Sequence, residues 1–129
     1  MSGRERSAGG GSWYRERGGV ALLWFAFLGG PVAWVLHLGT MYLLVPFSCG
    51  PGGAAWYHAA TLAMLALSGS AAWAGLRGGK RAGDRAGPEP EAAGGRARFM
   101  ARAGVALGLL FSVVIAAQWI PPLVLGGCP

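Results

Sequence analysis

Two histidines and two cysteines are the residues of this chain best suited to chemistry, and their settings narrow what that chemistry would be. His37 and His58 each precede a threonine by three positions, in HLGT and HAAT, inside long apolar stretches. A histidine at membrane depth is by default a candidate for ligation, proton handling or contact with a partner. A pair on neighbouring helices could ligate a haem b iron, but only from similar depth on opposite sides of the metal. Counted inward from Pro46 and Ala54 at about 1.5 Å per residue, His37 lies roughly 13 Å deep and His58 roughly 6 Å deep. That mismatch counts against a shared haem. The expected role of His37 is a hydrogen bond across helices to Thr61 or Gln118, with His58 near the headgroups. Gln118 carries the same expectation of an interhelical bond.

The elements that must position these residues are three apolar runs, expected as helical spans at about 20–46, 54–76 and 99–120. A run of 20 or so apolar residues is long enough to cross a hydrocarbon layer of roughly 30 Å. In the first, Ala26, Gly30, Ala33, His37, Thr40 and Leu44 recur at spacings of 4 and 3, which places them on one face. Most are small or polar. Helices in lipid associate where small residues let backbones approach and polar side chains find partners. A second stripe, His58, Thr61, Leu65, Ser68, Ala72 and Gly75, is expected to meet the first in an antiparallel hairpin. Gly104, Gly108, Ser112 and Ala116 repeat every fourth residue as the packing face of the third span. Gly29, Gly30 and Pro31 predict a bend in the first span, and Pro121 and Pro122 predict that the third ends or bends there.

Charge supports the same division. All sixteen charged residues lie in 4–17 or 77–102, so 18–76 and 103–129 carry none. A water-soluble domain could hardly tolerate such a distribution, and membrane spans require it. The excess of Lys and Arg gives a pI near 10.4, which in a soluble protein would suggest nucleic acid. Here the positive-inside rule accounts for it, and no nucleic-acid partner is expected. The rule assigns a disordered tail, 1–18, and a loop, 77–98, to the cytoplasm. The fold class expected is therefore an all-α integral membrane protein: three transmembrane helices in one domain, 19–129, N-terminus inside and C-terminus outside. A cleavable signal peptide is not expected, because the first apolar run is too long and no small-x-small site closes it.

That topology puts Cys49, after the first span, and Cys128, after the third, on one outer face. An oxidising compartment favours a disulfide there, worth roughly 4 kcal/mol in the chain-entropy model, with two free thiols or a metal site as alternatives. No P-loop, GxSxG, CxxC or HExxH occurs, and no acidic residue lies within a span, so no catalytic role, cofactor or resident metal is assigned.

Gly30-Pro31-x-x-Trp34-x-x-His37-Leu38, continuing through Tyr42 and Pro46 to Cys49, with Gln118, Pro121 and a terminal Cys128, resembles the small three-span bacterial membrane proteins encoded beside cytochrome c oxidase genes. The resemblance covers the spans and both cysteines. It implies an accessory role near a haem-copper oxidase or related respiratory complex and assigns no catalytic residue. The expected function is a small accessory or structural subunit of a larger complex in the bacterial inner membrane, its partners being the lipid bilayer and that complex. Gly30, His37, Thr40, His58, Thr61, Gly104, Gly108 and Gln118 would serve helix packing or partner contact. A haem- or copper-binding protein using His37, His58 and the outer cysteines is the alternative.

Overall fold

In a hydrocarbon layer no water can satisfy a backbone N–H or C=O, so a spanning segment must bond its own backbone. The chain does this three times. The computed structural model describes residues 17–84 and 92–125. They form three α-helices, α1 (Arg17–Leu44), α2 (Gly53–Asp84) and α3 (Ala92–Leu125), with a short 3-10 turn, Val45–Phe47, after α1. Each helix packs against both others. All three are long and apolar enough to cross a membrane, which makes the chain a multi-pass membrane protein by length and composition. We call the end holding Arg17, Arg77 and Arg102 the basic end and the end holding the α1–α2 connection the turn end.

The interior is built from small residues. Ala26, Ala33, Ala71 and Ala101 are fully buried, and the largest fully buried side chains are Ile115, His37, Thr61 and Ser68. Trp24, Leu43, Val113 and Leu125, by contrast, are each more than half exposed, as befits a surface that lipid covers. At the turn end the chain reverses through Ser48 N–H to Val45 O (3.3 Å), Gly50 N–H to Phe47 O (3.1 Å) and Gly53 N–H to Gly50 O (3.1 Å). Gly52 has φ +83, and a Cβ on Gly53 would come within 2.5 Å of the carbonyl oxygens of Phe47 and Ser48, so the reversal depends on both glycines.

Several expectations need correction. The segment 77–98 is not a loop throughout: α2 continues to Asp84 and α3 already begins at Ala92. At 32 and 34 residues these helices exceed the length a bilayer requires, and their charged ends project beyond the apolar windows. On α3, Ala97 and Ala101 pack on Leu23 there, and on α2 Gly78 is buried and Gly79 lies opposite Ala101, so burial continues past the apolar runs. Helix α1 likewise starts at Arg17, inside the tail expected at 1–18, and residues 1–16 lie outside the described part. It stays helical through Pro31, where the bend is expected. Proline costs the helix its own N–H bond to the fourth residue back and crowds that carbonyl, which a helix packed among others accommodates. Pro121 and Pro122 likewise fall inside α3, which runs on to Leu125.

The packing faces are corrected in detail. The α1 stripe is buried from Ala26 to His37, and the α2 stripe is buried or half-buried throughout. Gly30, however, abuts α3 rather than α2: a Cβ there would lie 3.0 Å from Leu107 O and 3.1 Å from Gly108 Cα. The approach to α2 is made by Gly29, whose Cβ would come within 2.6 Å of Ala71 Cβ. Successive residues are about 100° apart on a helix, so in a three-helix bundle neighbours such as 29 and 30 face different partners. On α3, Gly104 meets Ala26 of α1 and Gly108 meets Ala72 of α2, but Ala116 is exposed. A strict four-residue repeat drifts about 40° per step, so three steps carry the stripe off the seam, and Ile115 takes the buried position instead.

Candidate functional site

The polar residues of the spans gather in three places, two of them around a histidine and at different depths. The deeper one centres on His37, brought inward by the small-residue face of α1 and 1% exposed. Its Nδ1 lies 3.2 Å from Gln118 Oε1 on α3, and its Nε2 lies 3.3 Å from Thr61 Oγ1 on α2. One imidazole thus joins all three helices. The ring tautomer sets which way the proton runs in the bonds of His37 to the Gln118 amide and to the Thr61 hydroxyl. That hydroxyl also sits 3.0 Å from Tyr57 O, one turn back on its own helix. The expectation of a bond to Thr61 or Gln118 is met by both partners together. Thr40, half-buried one turn further along α1, makes no side-chain hydrogen bond among the described residues.

The shallower cluster centres on His58 at the turn end. Trp119 of α3 donates its indole N–H to His58 Nδ1 at 2.8 Å, and the two rings lie with centroids 5.8 Å apart. Tyr57 meets the His58 ring edge-on, centroids 6.2 Å apart. An indole N–H can only donate, so Nδ1 must accept and the proton of the neutral ring stands on Nε2. Beside this ring is a cavity of about 280 Å³ whose wall includes Met41, Val45, Ala54, Tyr57, His58 and Pro122. Ser48 also borders it, its hydroxyl donating to Val45 O at 2.7 Å. The side chains around it carry no formal charge.

A third contact joins α2 and α3 without histidine. Ser68 donates to Gly108 O at 2.9 Å, and Ser112 lies 2.7 Å from the same oxygen and 3.1 Å from Ser68 Oγ. Gly108 permits it by bringing the α3 backbone against Ala72. The buried indole N–H of Trp34, whose ring packs on Phe111, has no hydrogen-bond partner among the described residues.

Sequence reasoning named Gly30, His37, Thr40, His58, Thr61, Gly104, Gly108 and Gln118, and the structure places all of these but Thr40 in a contact between helices. The two histidines do not share a ligand position: the α2 partner of His37 is Thr61, three residues from His58. Trp119 was missed. The available signal was its type and place, an indole near the end of a span, where the ring is buried and the N–H needs a partner. Cys49 is described at the turn end, 3.9 Å from Ser48 Oγ, whereas Cys128 lies outside the described residues and their pairing with it. Among the described residues no three His, Cys, Asp or Glu side chains form a group that could hold a metal ion. No family model matches this chain, and neither a curated protein nor a solved structure matches it significantly.

Proposed function

We propose that this chain is a small accessory or structural subunit of a larger complex in the bacterial inner membrane, of the respiratory kind suggested by its resemblance to three-span proteins encoded beside cytochrome c oxidase genes. The supporting observation is the use of its buried polar groups. His37, Thr61, Gln118, Ser68 and Ser112 are spent on bonds between helices, so the polar interior fastens the bundle, and an apolar surface remains for lipid and neighbouring subunits. On this reading the N-terminus and the basic end are cytoplasmic, as the positive-inside rule requires, and Cys49 and Cys128 are joined outside. The haem or copper alternative fits the residues less well, since both ring nitrogens of His37 are engaged by Gln118 and Thr61.

Purification from native membranes in mild detergent tests the proposal: oxidase or other respiratory subunits should accompany the chain in fixed ratio. A chain recovered alone, or one showing a haem Soret band, would overturn it. Reporter fusions at Gly94 and Pro129 should report inside and outside respectively. Alkylation before and after reduction should show Cys49 and Cys128 blocked until reductant is added, and two thiols labelled without reductant would refute the bond.

A further inference from the structure

We infer that the cavity beside His58 is a binding site for the head ring of a quinone, a neutral, lipid-soluble ring bearing carbonyl acceptors. Three observations define the ligand. First, the cavity lies at the turn end of three membrane-length helices, and Met41, Val45, Ala54 and Pro122 give it apolar walls, which suits a molecule arriving through lipid. Secondly, no charged side chain borders it, while the basic residues stand at the opposite end of the bundle. An anionic headgroup, phosphate or carboxylate would find no counter-charge there. Thirdly, one of the residues lining it, His58, carries a ring N–H. Trp119 occupies His58 Nδ1, so the ring proton stands on Nε2, which no described residue engages. A carbonyl oxygen is the complement of that N–H, and the edge-on pair of Tyr57 and His58 offers aromatic surface to a flat ring.

Size narrows the class further. At about 280 Å³ the cavity falls just below the range of roughly 300–1,000 Å³ that accommodates drug-sized ligands. It admits one substituted ring and leaves an isoprenoid tail to the bilayer, whereas a macrocycle such as haem exceeds it. The cavity takes such a ring whether or not the bundle belongs to a larger complex.

The test uses the full chain in phosphatidylcholine nanodiscs, with imidazole and indole nitrogens labelled for NMR. Titration with 2-methyl-1,4-naphthoquinone should produce saturable shifts at His58 Nε2–H and Trp119 Nε1–H while the His37 signals stay fixed. 2-Methylnaphthalene, which lacks both carbonyls, should bind about tenfold or more weakly, and His58→Phe should cost the quinone a similar factor. Ala54→Trp, which fills the cavity from one wall and spares the polar groups, should abolish the shifts while unchanged His37 signals report an intact bundle. Non-saturating shifts spread over all the tryptophans would mean partition into the bilayer only. Equal affinity for the two ring compounds, or undiminished binding in both variants, would mean that no carbonyl is recognised at His58. Any of these results overturns the inference.

Discussion

His37 and His58 begin the same short pattern on neighbouring helices, yet one ring is closed off and the other is left half open. His37 lies where three helices converge, 1% exposed, with Gln118 and Thr61 on its two ring nitrogens. His58 lies where the helices give way to the turn. There Trp119 bonds one ring nitrogen, and His58 also lines a cavity. The difference teaches that a polar residue in a membrane bundle takes its role from depth and packing rather than from its local sequence. Where backbones approach, both ring nitrogens become fastenings. Where they part, one nitrogen is engaged by no described residue.

The largest test of this contrast is to spoil the close approach itself. Gly108→Leu would force a side chain against Ala72, whose backbone N already lies 2.8 Å from the position of a Cβ. The bundle should lose on the order of 3 kcal/mol or more, read from reversible unfolding in bicelles, because overpacking a tight seam displaces backbone. Gly39→Leu, at a position with no atoms within 4 Å, should be nearly silent. Equal effects at the two sites would show that the seam does not govern stability.

Removal of the rings themselves comes next. His37→Ala deletes bonds to two helices and opens a buried hole, so about 2 kcal/mol should be lost. His58→Ala, at a half-exposed ring with one bond, should cost less than about 1 kcal/mol. The reverse order in the same unfolding assay would break the comparison.

Smaller effects sharpen it. Ser68→Ala removes one donor from Gly108 O while Ser112 remains within reach of that oxygen, so about 0.5 kcal/mol is expected in the same assay. Trp119→Phe should cost little stability, also about 0.5 kcal/mol, but it should release the His58 proton from Nε2. Imidazole nitrogen shifts will then show a mixture of tautomers in place of one, and an unchanged single tautomer would mean that Trp119 does not set the direction of the donor.

Much of this was legible in the chain before any coordinates. Sixteen charges swept out of three apolar runs leave a bilayer as the one solvent that suits them, and backbone bonding in that solvent makes each run a helix. Helical spacing likewise exposed the faces holding Gly30, His37, Thr61 and Gly108. Their placement against particular neighbours was not legible, because a periodic stripe states that a face is buried without naming what buries it. Gly30 against α3 and Gly29 against α2 differ by one residue and about 100°, a distinction that exists only once three helices are set side by side. The helical ends at 77–84 and 92–98 were hidden for a related reason: their glycines and charges argue for a loop, whereas contacts between helices, Ala97 and Ala101 with Leu23 and Gly79 opposite Ala101, continue there. The pairing of Trp119 with His58 joins residues 61 apart in sequence. Composition and periodicity thus determined solvent, span and face, which are properties of single helices. Tertiary structure decided which polar atoms are consumed and which nitrogen no described residue engages, because hydrogen bonds between helices depend on relative rotation and depth that no one helix contains.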